Sequence, residues 1–144
     1  MTATTLTKTI ILDAPKDVVW AFLTEKDKLT RWFHPAEEDL KEGSEYTLLN
    51  QHKDMTRVCW GTVLEMKPFD RLVYSFTFEQ LQGALTTVSW VLEEAAGGTR
   101  VTLTHEGIEN AAGEAAFMML SALDAGWDEH FGRLRKEAKI PVPA

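Results

Sequence analysis

Glu114–Lys139, EAAFMMLSALDAGWDEHFGRLRKEAK, is the stretch whose reading decides the fold. It contains neither proline nor a β-branched residue, and Phe117, Leu120, Leu123, Trp127, Phe131, Leu134 and Ala138 recur at steps of three and four, drawing one apolar stripe down a helix. At ~1.5 Å per residue the helix runs roughly 39 Å, enough to cross a small sheet. Glu114 complements the dipole at its start, and Arg133, Arg135, Lys136 and Lys139 complement its end. Pro141 forbids much more helix.

Upstream of this helix the pattern changes to period two. Ser44–Leu49, Arg57–Met66, Arg71–Phe78, Thr86–Glu93 and Arg100–His105 read as strands, separated by turn residues. Leu72, Tyr74, Phe76 and Phe78 alternate cleanly. Pro68-Phe69-Asp70 makes one turn, and the paired glycines of Ala95-Ala96-Gly97-Gly98 take the positive φ of another. Before these come a strand at Leu6–Leu12 and two short helices, Pro15–Leu23 and Lys26–Phe33, with Pro35 stopping the second. Helices segregated from about six antiparallel strands place the chain in the α+β class, expected as one domain over residues 1–144.

Composition limits the function. Fifteen Lys and Arg against 22 Asp and Glu, a formal charge of −7, argue against nucleic acid as a partner. The apolar runs fall far short of a membrane span, and the N-terminus lacks the pattern of a secretory signal. Cys59 is the only cysteine, so no internal disulfide forms and a cytoplasmic location is expected.

Several pieces occur in a telling order: Pro15-Lys16-Asp17-Val18-Val19-Trp20-Ala21-Phe22-Leu23-Thr24 leading to Leu29-Thr30-Arg31-Trp32-Phe33, then Gly61-Thr62-Val63-Leu64-Glu65, then Gly98-Thr99-Arg100-Val101-Thr102-Leu103-Thr104-His105, then Gly126-Trp127. In these the chain resembles the START-like or SRPBCC superfamily through nearly its whole length. Within it, the chain is similar to the branch named for the activator of the ninety-kilodalton heat-shock protein ATPase. The resemblance implies a helix-grip fold, a curved sheet wrapped around the long helix with a cavity between. It implies little about activity, since such members include carriers, cyclases and co-chaperone domains. The eukaryotic co-chaperone carries an additional N-terminal domain, which this chain is expected to lack.

A cavity of that kind suits a small apolar or amphipathic molecule. Trp60, Tyr74, Phe76, Phe78, Trp90, Phe117, Leu120 and Trp127 are the candidates for its lining, the aromatics falling mainly on positions expected to point inward, where they serve equally as plain core. Asp124 falls at the edge of the stripe, either buried and in need of a partner or simply solvated. His105 shares a face with Val101 and Leu103, where it can meet a ligand, a carboxylate such as Asp124, or a structural partner. These two are the only candidate proton carriers. His34, His52 and His130 show no metal-ligand spacing, Cys59 reads as a packing residue, and no nucleophile elbow, phosphate loop or dinucleotide fingerprint occurs. No metal or cofactor is expected. The leading expectation is a non-catalytic binding module; a cyclase- or hydrolase-like enzyme and a chaperone partner are the alternatives, and a homodimer is open.

Overall fold

The computed structural model describes residues 5–49, 56–78, 84–108 and 116–138. Its elements are β1 (Leu6–Leu12), α1 (Lys16–Thr24), α2 (Lys26–Trp32), β2 (Glu45–Leu49), β3 (Arg57–Lys67), β4 (Arg71–Phe78), β5 (Thr86–Ala95), β6 (Gly98–Glu106) and α3 (Ala116–Glu137). Six antiparallel strands form one sheet in the order β1-β6-β5-β4-β3-β2. The α+β, helix-grip architecture expected from the sequence is the one found. Every expected element is present, with bounds moved by one or two residues; Glu114, Lys139 and Pro141 at the expected helix ends, and His52, lie outside the described residues.

Local chemistry explains the boundaries. Pro15 stands just before α1 with φ −70° and ψ 164°, and its carbonyl accepts from the Val18 and Val19 amides. Glu25 separates α1 from α2 in an extended conformation, and the Lys26 amide finds Asp39 Oδ1 at 2.9 Å. Beyond α2 the chain runs along the outer edge of β2: the Leu49 amide donates to Pro35 O, the Glu37 amide to Thr47 O, and Ala36 bridges to Leu48. That edge is thereby covered rather than open to another chain.

The β5–β6 turn differs from expectation in one respect. Ala95 and Gly98 pair with each other, so the residues with positive φ are Ala96 (51°) and Gly97 (89°). Gly98 instead begins β6, where a Cβ would fall 2.4 Å from Leu12 O. β4 also departs from simple alternation in its burial: Leu72, Tyr74 and Phe76 are buried on one face, yet Val73, Ser75 and Thr77 are buried as well.

The core lies between the concave face of the sheet and the helices. Trp32, at the end of α2, is buried and donates its indole N–H to Phe22 O at 2.7 Å. Its ring meets Trp90 of β5 edge-on, and Trp90 in turn meets Trp127 and Phe131 of α3. At the other end of the sheet the Tyr46 hydroxyl donates to Ser75 O at 2.6 Å. A Cβ at Gly61 would sit 2.0 Å from that same oxygen. Glycine is required there by space, since backbone cannot give way as a side-chain tip can. Gly61→Ala is therefore expected to destabilise the domain by about 2–4 kcal/mol in urea titrations; a loss within ~0.5 kcal/mol, the ordinary surface range, would refute the close approach.

Candidate functional site

The stripe on α3 is not buried evenly. Trp127, Phe131, Leu134 and Ala138 are buried, Leu120 and Leu123 are half-buried, and Phe117 is 78% exposed. The C-terminal half is seated on the core, whereas the N-terminal half stands off the sheet. Between the middle turns of α3 and strands β3 and β4 lies a cavity of about 180 Å³, walled by Val58, Cys59, Phe76 and Phe78 from the sheet and by Ala122, Leu123, Gly126, Trp127 and His130 from α3. His34, just past α2, closes one end. Gly126 contributes by what it lacks, for a Cβ built there meets nothing within 4 Å.

One chain of hydrogen bonds holds the floor of this cavity. The Trp127 indole N–H lies 3.2 Å from His105 Nδ1, His105 Nε2 lies 2.8 Å from Thr86 Oγ1, and Thr86 Oγ1 donates to Phe76 O at 2.7 Å. An indole can only donate, so Nδ1 must accept and the imidazole proton resides on Nε2, directed at the threonine. Both nitrogens of His105 are committed, and the ring is wholly buried. Burial pushes its pKa down to about 4, so it is neutral near pH 7.

The expected site residues separate under this geometry. Phe76, Phe78 and Trp127 line the cavity. Tyr74 and Trp90 lie deeper in the core, bonded to each other from indole N–H to hydroxyl at 2.9 Å, and burial raises the tyrosine pKa. Leu120 packs against the core without lining the cavity, and Phe117 is outside it. Trp60 takes the opposite face from Cys59 in β3 and lies under the Arg57 guanidinium, 3.7 Å from its ring centroid. The expectation that Trp60 and Phe117 face inward is corrected on both counts.

For Asp124 the solvated reading is the one found. It does not approach His105; its carboxylate is exposed and pairs with Lys8 Nζ at 2.7 Å, a lysine that also holds Asp128 at 2.6 Å. Desolvation disfavours the charge on Lys8, but the bonds and attraction of the two aspartates outweigh it and raise its pKa. The trio ties α3 to β1 at the surface, an arrangement worth ~0–1 kcal/mol per pair.

Sequence reading passed over the groups at the cavity's polar end. His34 and His130 meet edge-to-face with centroids 5.2 Å apart, and Arg133 Nη2 lies 2.5 Å from His130 Nδ1 while its Nε donates to Trp32 O at 3.1 Å. Burial and the Arg133 charge push His34 down to about 4; burial, His34 and Arg133 push His130 down to about 3. Burial pushes the Cys59 thiol up to about 12, so it lines the wall as a neutral group. The helical step from Trp127 to His130 was the one available signal. Among the described residues no cluster of three or more His, Cys, Asp or Glu is placed to hold a metal ion, and no helix is long and apolar enough to cross a membrane.

The family model described as activator of Hsp90 ATPase homolog 1-like protein matches residues 13–139. The chain belongs to this family. Solved structures agree with the membership: CalU16 from Micromonospora echinospora is 28% identical, with 92% of this chain and 74% of that one covered and a TM-score of 0.73. The Aha1 dimer from Colwellia psychrerythraea, 19% identical over 94% and 96% of the two chains, shares the fold at a TM-score of 0.74. DynU16, from the dynemicin biosynthetic locus, is 24% identical at a TM-score of 0.74; 92% of this chain is covered, but it spans only 46% of that one. Among curated proteins, none matches. The Hsp90-activator-like family thus accounts for the helix-grip fold.

Two measurements follow from the buried ring system. Trp127→Ala removes an anchor and leaves His105 Nδ1 without its donor, so a loss of about 3–5 kcal/mol is expected in urea unfolding, against ~1 kcal/mol or less were Trp127 outside the core. His105 has a folded pKa below its unfolded value, so the unfolded chain binds more protons between about 6.5 and about 4, and stability falls as pH drops through that window. The decline attributable to His105 is on the order of 3 kcal/mol once pH is below about 4. His34 and His130 contribute in the same direction, so His105→Gln should reduce, not abolish, the fall in urea midpoint between pH 7 and 5, and an unchanged slope would show that His105 contributes none of it.

Proposed function

We propose that the protein is a binding module for a small, mainly apolar molecule, held between β3, β4 and the middle turns of α3. The observation that carries this reading is the wall of the cavity, largely apolar side chains from sheet and helix with Gly126 among the lining residues. A volume of about 180 Å³ is close to the ~150 Å³ at which an apolar cavity admits a benzene ring, and below the ~300–1,000 Å³ of pockets for larger ligands. A lipid or polyketide would therefore have to extend past Leu123 toward the exposed Phe117 and Met118.

A cyclase- or hydrolase-like reaction run by His105 or Asp124 is not favoured, because one has no uncommitted nitrogen and the other faces solvent on Lys8. The chaperone-partner reading rests on the family description, and co-purification of an Hsp90-type chaperone is its test. The exposed Phe117 and Met118 are the side chains through which a homodimer would form. A lone buried thiol suits a reducing cytoplasm.

Because a ligand that binds only the native state must stabilise it, a panel of one- to three-ring aromatics and fatty acids is expected to include compounds that raise the Tm in proportion to concentration. Gly126→Leu, whose side chain enters open space, should stay folded and lose that response. A rise in Tm that persists in Gly126→Leu would place the ligand elsewhere, and a panel that leaves the native Tm unmoved would argue against a binding role.

A further inference from the structure

The polar atoms on the cavity wall are arranged for one kind of occupant. Among the described lining residues they come from two imidazoles, a thiol and the Trp127 indole N–H, which is committed to His105, and none is a carboxylate. The imidazoles stand together at one end, and Phe76, Phe78 and Trp127 supply the aromatic remainder. His130 Nδ1 faces the Arg133 guanidinium, which can only donate, so this nitrogen accepts and the proton resides on Nε2. The Trp32 carbonyl also lies near the ring and favours its protonated form. Between described side chains, hydrogen bonds engage His130 only at Nδ1 and His34 at neither nitrogen. The positive charge of Arg133 is felt by both rings, while its carboxylate partner, Glu129, is exposed and 3.8 Å away.

We infer that the occupant is a single-ring aromatic compound bearing an oxygen anion, a carboxylate or a phenolate, with its ring between Phe76, Phe78 and Trp127 and its oxygen accepting from His130 Nε2–H in the field of Arg133. This assignment rests on the pocket proposed above. Size restricts the apolar part to about one ring. A purely apolar ring would desolvate the His130 donor without pairing it, whereas an anion pairs it and gains from the nearby Arg133 cation, an attraction that the 43% exposure of that side chain reduces. A cationic ligand meets repulsion from Arg133 and no acceptor of opposite charge.

The test is NMR titration of the full chain at pH 8 with toluene, benzoate and benzylammonium, following the Trp127 and His130 ring signals. Benzoate is expected to bind at least tenfold more tightly than toluene, and benzylammonium not at all. Arg133→Gln and His130→Phe should each erase the preference for benzoate with toluene affinity kept, and Arg133→Lys, which retains the charge, should restore most of it. Toluene binding as tightly as benzoate, or benzoate affinity unchanged in both Arg133→Gln and His130→Phe, would overturn the anion assignment and leave the pocket standing. Absence of binding by all three to the folded chain would overturn both.

Discussion

The hydrogen bond from the Trp127 indole to His105 is the constraint on which the rest of the structure depends. It joins α3 to β6, and through Thr86 and Phe76 it reaches β5 and β4, so one continuous chain of donors and acceptors crosses the layers of the domain. Each member is buried, and a broken link would leave a polar atom without water or partner at a cost of ~1–3 kcal/mol. The donor-only indole imposes direction on all of it. His105 is therefore held in one tautomer, neutral, with no capacity left for chemistry.

Fixing the helix at Trp127 divides it. On the C-terminal side Phe131 and Leu134 pack against the same aromatic layer as Trp90, and that half is seated. Toward the other end burial falls, with Leu123 and Leu120 half-buried and Phe117 exposed, and the cavity lies beside the middle turns between. Gly126 lies at the division, where any larger residue would begin to fill the gap from the helix side. Lys8, gripping Asp124 and Asp128, holds the flank of α3 to β1 without entering the space. Sheet and helix thus enclose the concave surface between them.

Much of the fold was legible because its signals are periodic and local. The three- and four-residue steps of α3, the alternation in β4 and the prolines beside α1 and α2 each act on their own few residues, and nothing distant overrode them. The site was less legible because a cavity is defined by what fails to touch. Helical periodicity placed Phe117 on the same stripe as Trp127, correctly by angle, but it carries no information on where the sheet ends beneath the helix. Alternation likewise puts Trp60 and Cys59 on opposite faces, and its large aromatic area drew the wrong one inward. Asp124 and His105 attracted interest as an acid and a base, yet their partners, Lys8 and Thr86, come from other strands that no spacing in α3 or β6 could announce. His34 and His130 were set aside for want of metal spacing, although ninety-odd residues of chain between them are no obstacle to meeting at 5.2 Å.

The central claim, a helix fixed at Trp127 and spanning open space before it, is tested most directly by native-state amide hydrogen exchange along α3. Amides from Phe131 to Leu134 should open only with global unfolding, while those from Leu120 to Asp124 should exchange by local opening at a free energy well below it. Uniform protection through both segments would mean that the whole helix is seated alike and would contradict the account.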